Sequence, residues 1–199
     1  MKKMLLLSLL ALALPMAAFA SNSVDFTNAG GTLSGSNAGL SLTGSTLIAM
    51  GGGGGIKTGN LGTVEFSTAA LTSGDLQQGA TFGAGGMFTI TGNGTNGVPN
   101  GTIFSGTFSG PVTWTLITLA NGTHNYTLMG ALSGTWYTGL SVQGATVQLT
   151  INTGKGFFNG STKISSGDTN IVVPEPGSLA LLGTGLVGLA GVVRRKLKA

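Results

Sequence analysis

Ala145-Thr146-Val147-Gln148-Leu149-Thr150-Ile151-Asn152 alternates apolar and polar side chains without a break. Successive side chains of a strand point to opposite faces, so Ala145, Val147, Leu149 and Ile151 define a buried face. Thr146, Gln148, Thr150 and Asn152 define a wet one. Weaker versions of this pattern occupy residues 62–66, 87–91, 102–108 and 112–119, and Gly, Asn and Pro punctuate the intervals between them. Glu, Lys and Arg, which favour helices, are scarce in the centre of the chain, whereas Gly, Thr, Ser and Asn are abundant, leaving turn formers with β-branched residues. The expected fold is all-β, an antiparallel sandwich or barrel-like domain.

Asn121-Gly122 is the strongest local turn signal. Read as a two-residue type I′ loop, it joins residues 112–119 to residues 123–132 in a hairpin. That register sets Leu119 opposite His124 and Ile117 opposite Tyr126, which puts Ile117, Leu119, His124, Tyr126 and Leu128 on one face. The run Gly51 to Gly55 has no side chains to bury and is expected to be a mobile loop dividing the N-terminal strands from the rest. Residues 93–101 read as a second loop. Ser105-Gly106-Thr107-Phe108 is echoed by Ser133-Gly134-Thr135-Trp136, an isolated similarity and not a repeat.

The formal charge of +4 and pI near 9.7 resemble a polyanion-binding signature until the charges are located. Lys2, Lys3, Arg194, Arg195, Lys196 and Lys198 lie at the extremes. Between Ser21 and Val173 only Lys57, Lys155 and Lys163 face Asp25, Glu65, Asp75 and Asp168, three positive against four negative. Nucleic acid is therefore not an expected partner. The absence of cysteine excludes disulfides, thiolate metal sites and a Cys nucleophile.

Both ends carry topological signals. Lys2 and Lys3 precede an apolar run ended by Pro15, and Ala18-Phe19-Ala20 puts small residues where a signal peptidase needs them. Residues 1–20 thus read as a signal peptide cut between Ala20 and Ser21, with the general secretory translocase and signal peptidase as partners. At the other end, Val173-Pro174-Glu175-Pro176 leads into 17 uncharged residues, 177–193, and then Arg194-Arg195-Lys196. A helix of that length spans ~25 Å against a hydrocarbon core of ~30 Å, a minimal crossing. The basic residues beyond it would stop transfer and stay cytoplasmic.

Pro174-Glu175-Pro176, the short Gly-rich apolar span and the terminal basic cluster together resemble the PEP-CTERM sorting signal, a tail also labelled ice-binding protein C-terminal domain. The resemblance covers about the last 27 residues. It implies handling by an exosortase, a multi-spanning membrane peptidase of Gram-negative bacteria that make exopolysaccharide and biofilm matrix. It implies nothing about the domain in front.

Catalytic signals are thin. His124 is the one histidine and follows a turn, where a polar edge role suffices. There is no G-x-S-x-G elbow, and Gly154-Lys155-Gly156 lacks the flanking residues of a phosphate loop. Gly183 to Gly188 matches G-x-G-x-x-G only formally, because the chain ends 11 residues later with no room for a βαβ unit. The scattered carboxylates form no calcium loop, and would serve glycoside hydrolysis only if the fold paired two of them.

Trp114, Tyr126, Trp136 and Tyr137 could form a sugar platform, although a domain with few large side chains would also bury them. The threonine pairs Thr89/Thr91 and Thr113/Thr115 suit an ice-binding face, but Thr is also an ordinary strand residue.

The resulting expectation is a β domain, residues 21–173, between the signal peptide and a sorting tail, 174–199, whose transmembrane helix is 178–193 and basic end 194–199. It is exported, passes through an inner-membrane intermediate, and ends at the cell surface or in the matrix. Its expected role is non-enzymatic, structural or adhesive, linked to exopolysaccharide, without catalytic residues, metal or cofactor. The alternatives are a glycan-binding module, an ice-binding protein and a hydrolase.

Overall fold

The computed structural model describes residues 22–173. The expected signal helix and transmembrane helix lie outside the described residues, among which no helix is long and apolar enough to cross a membrane. The strands are β1 (Asn22–Ala29), β2 (Thr32–Ser36), β3 (Gly39–Gly52), β4 (Gly55–Ser67), β5 (Leu71–Asp75), β6 (Gly79–Phe82) and β7 (Gly85–Asn93). After a 3₁₀ turn at Thr95–Gly97 come β8 (Asn100–Phe108), β9 (Val112–Thr118), β10 (His124–Trp136), β11 (Ser141–Asn152), β12 (Ser161–Lys163) and β13 (Ser166–Val173).

Of the two expected architectures the chain adopts the barrel. Following neighbours from β10 through β11, β13, β1, β3, β4, β7 and β8 returns to β10, a closed antiparallel ring of eight strands. Closure leaves the eight ring strands without the open edge that would otherwise template aggregation. Two long strands each share one edge between two partners. The second half of β10 pairs with β8 from Leu132 to Trp136, while its first half pairs with β9, which continues to β6 and β5. The first half of β3 pairs likewise with β2, which holds β12.

The alternation that decided the fold class is realised: in β11, Ala145, Val147, Leu149 and Ile151 are buried, and Thr146, Gln148 and Asn152 are exposed. The barrel interior holds Phe66, Phe88, Phe104 and Phe108, with Phe88 stacked on Phe66 at 6.0 Å and edge-on to Phe104 and Phe108 at 6.2 Å. Such offset and edge contacts add to what area burial supplies.

Two local expectations are corrected. The β9 and β10 segments do pair, but with Thr118 opposite His124, Leu116 opposite Tyr126 and Trp114 opposite Leu128. Gly122 N donates to Leu119 O, Leu119 N donates to Thr123 O, and Gly122 alone takes a left-handed φ of 77°. The loop is therefore the three-residue form, Ala120 to Gly122, with a bulge at the glycine. One extra loop residue shifts the register by one and exchanges the faces, so Ile117 and Leu119 are exposed while Tyr126 and Leu128 are buried.

The glycine run is also not a divider. β3 and β4 pair as far as Gly52 opposite Gly55, leaving Gly53 and Gly54 as a tight hairpin turn. Residues 93–101 do form a connection, pinned to β4 by Asn93 Nδ2 on Asn60 O (2.9 Å) and Asn96 Nδ2 on Thr58 O (2.8 Å).

Candidate functional site

The four aromatics considered as a sugar platform are divided by the fold. Trp114 and Tyr126 are fully buried and stacked at 4.8 Å, with Phe158 edge-on to Trp114 at 5.4 Å. Their polar ends are satisfied by one loop: Trp114 Nε1 donates to Leu76 O (3.0 Å) and the Tyr126 hydroxyl to Gln77 O (2.7 Å). Asp75 Oδ1 holds that loop by accepting from Gln77 N and Gln78 N, each at 2.8 Å. Trp136 is buried against Phe26 at 5.9 Å. Only Tyr137, 53 % exposed, reaches the surface. Tyr137 is the first residue of the turn after β10, and its ring lies against that of Trp136 with centroids 5.3 Å apart, on the solvent side of it.

His124 does sit at a strand end, but it is nearly buried, its ring stacked on Phe157 at 4.3 Å and Nδ1 3.1 Å from Thr118 Oγ1. Its backbone N donates to Gly154 O and its O accepts from Thr153 N. It ties the β10 start to the turn after β11.

The four carboxylates among the described residues stand on four different strands. Asp25 of β1 accepts a hydrogen bond from Asn170 Nδ2 of β13, which staples the first strand to the last. Glu65 is exposed opposite Thr89, and Asp168 is exposed opposite Gln148. Asp25 and Asp168 are on neighbouring strands of the outer wall, so they do not face each other across a cleft. Among the described residues no group of three or more His, Cys, Asp or Glu could hold a metal ion.

The register assembles rows of short polar side chains across the outer wall. Thr46, Thr63, Thr91 and Thr102 stand opposite one another in turn over β3, β4, β7 and β8. Glu65, Thr89, Ser105, Thr135 and Ser141 form a second row over β4, β7, β8, β10 and β11. Neighbouring strands are ~4.8 Å apart, so the second row runs ~19 Å around the barrel. Sequence alternation identifies each member as polar-facing, but only the register places them side by side. The pairs Thr89/Thr91 and Thr113/Thr115, by contrast, lie on strands that are not neighbours, β7 and β9. A polar exterior around an apolar interior is the inverse of a transmembrane barrel wall.

The ends of the described chain also meet. Because the ring is antiparallel, the start of β1 and the end of β13 lie at the same end of the barrel. The β3–β4 hairpin, the 93–100 connection and residues 137–140 lie there too. Both expected processing points, after Ala20 and near Pro174-Glu175-Pro176, thus join the barrel at one end. The individual roles of Ala18, Ala20, Ser21, Pro174, Glu175, Pro176, Arg194, Arg195 and Lys196 fall on residues outside those described.

Residues 172–196 match the family model of the PEP-CTERM protein-sorting motif. The match begins at Val172, inside β13, and extends through the basic cluster. No curated protein and no solved structure matches the chain.

Proposed function

We propose, from the premise that this chain carries a PEP-CTERM motif and so is exported, held as a membrane-anchored intermediate and sorted by an exosortase, that its barrel is a non-enzymatic component of the cell surface or exopolysaccharide matrix. The observation that carries the reading is the outer wall: contiguous rows of Thr and Ser hydroxyls with few charges between them. Each hydroxyl is both donor and acceptor, and so is each hydroxyl of a hydrated glycan. Individual exchanges of water for sugar are nearly neutral, so affinity comes from many contacts along a polymer rather than from one deep site. Burial of Trp114, Tyr126 and Trp136 favours this distributed contact over a stacked-sugar pocket. Export would use the secretory translocase and signal peptidase, then a transmembrane passage of residues 178–193 through the inner membrane.

The test is affinity electrophoresis of the exported chain through gels cast with the host's own exopolysaccharide. Retardation that weakens when Thr63, Thr89, Thr91 and Ser105 are together changed to Ala supports the role. Unaltered mobility in gels with and without polysaccharide overturns it. Sorting is checked separately by intact mass in host strains with and without the exosortase, where an unprocessed tail in both would remove the processing step.

A further inference from the structure

We infer that the barrel end formed by the β3–β4 hairpin, the 93–100 connection and residues 137–140 rests on the outer surface of the membrane while the tail is attached, with Ile56 and Tyr137 in the headgroup layer. This rests on the anchored intermediate of the preceding section and adds the orientation of the domain and its contact residues. Three observations carry it.

The first is reach. β13 remains strand through Val173, and only Pro174 to Gly177 separate it from the uncharged run beginning at Ser178. Four extended residues span at most ~14 Å, of which a headgroup layer of ~5–7 Å takes about half. The strand end is therefore within about one strand spacing or two of the lipid surface, and loops level with it must touch that surface.

The second is chemistry at that end. Ile56, on the hairpin, is 78 % exposed, the greatest exposure among the large apolar side chains described. Tyr137 presents an aromatic ring with a polar tip, the amphipathic form suited to a membrane–water interface. Beside them Lys57 Nζ lies on Gly97 O, a cation placed where lipid phosphates would be, whereas Asp25 is engaged by Asn170.

The third is connectivity. The start of β1 adjoins the same end, and the Asp25–Asn170 bond joins the two strands that carry the ends. The opposite end is out of reach: β10 runs 13 residues from His124 to Trp136, ~40 Å along the strand. Leu119, exposed beyond His124, belongs to that far end and serves as the control.

The natural absence of cysteine permits the test on the full chain. Single-label variants Ile56→Cys, Tyr137→Cys and Leu119→Cys are derivatised with a fluorophore. They are then reconstituted into vesicles of phosphatidylcholine and phosphatidylglycerol containing lipids with a nitroxide on the headgroup. Flotation first reports whether the chain is anchored. Severalfold stronger quenching at positions 56 and 137 than at 119 establishes the orientation. A chain that floats but is quenched equally at all three positions, most at 119, or at none overturns the inference alone. A chain that fails to float overturns the anchored intermediate, and the orientation with it.

Discussion

Gly106 of β8 and Gly134 of β10 stand directly opposite each other in the barrel wall, with the ring of Phe104 against both. A methyl group on Gly134 would lie 2.2 Å from Ser105 O and 2.9 Å from Phe104 Cζ; on Gly106 it would lie 2.3 Å from Ser133 O. The demand is for space, since neither residue has a left-handed φ. Gly134→Ala is expected to destabilise the domain by about 1–3 kcal/mol through strain where β8 and β10 approach. Urea unfolding followed by tryptophan fluorescence checks this, and an unchanged midpoint would contradict the close approach.

The stacked Trp114–Tyr126 pair predicts an asymmetry between two tyrosines. The Tyr126 hydroxyl donates to Gln77 O and accepts from Phe158 N at 3.1 Å, so Tyr126→Phe strands two backbone groups next to the core. The expected loss is about 1–3 kcal/mol. Tyr137→Phe, at an exposed ring, should stay within about 0.5 kcal/mol of the parent. Equal effects of the two changes in the same unfolding assay would contradict the bonds of the Tyr126 hydroxyl to Gln77 O and Phe158 N.

How much of this was legible beforehand depends on whether a feature is local. The β11 alternation is a property of eight consecutive residues, and it gave the buried face without error. The β9–β10 hairpin was also visible, because Asn121-Gly122 lies between two apolar-rich segments. Its register was not, because Ala120 could join the loop or the strand, and one residue decides which face is buried. The echo of Ser105 to Phe108 in Ser133 to Trp136 had a reason that sequence alone could not supply. The two stretches are wall neighbours, and each needs a glycine opposite the other's. The threonine rows depend on the register between neighbouring strands and the meeting of β1 with β13 on the ring closing, long-range properties that no window of residues encodes.

Three buried polar side chains near the β1–β13 seam fall into two cases. Asn28 Nδ2 donates to Ser45 Oγ at 2.7 Å, and Ser45 Oγ donates to Ala29 O at 3.3 Å, so that pair is satisfied. Thr169, 1 % exposed, has no partner for its hydroxyl among the described residues. Thr169→Val keeps the branched shape and removes a desolvated group, so stability should rise by about 1 kcal/mol. Ser45→Ala should lower it by about 1–3 kcal/mol by leaving Asn28 unpaired. Thermal unfolding of both variants checks the contrast, and a destabilised Thr169→Val would show that the hydroxyl has a partner in solution.

The charge distribution predicts how polysaccharide contact responds to salt. From Ser23 to Val173 the chain carries three lysines against four carboxylates. The outer rows hold a single charged member, Glu65. Exposed charge pairs are screened beyond ~10 Å at ~0.1 M salt, so a contact built on them weakens as salt rises. Hydroxyl-to-hydroxyl contact has no such term. Retention of the exported chain on exopolysaccharide should therefore change little between low and high salt, and should fall when free sugars of the same polymer compete. Elution by salt alone would assign the contact to Lys57, Lys155 and Lys163 and remove the hydroxyl rows from the interface.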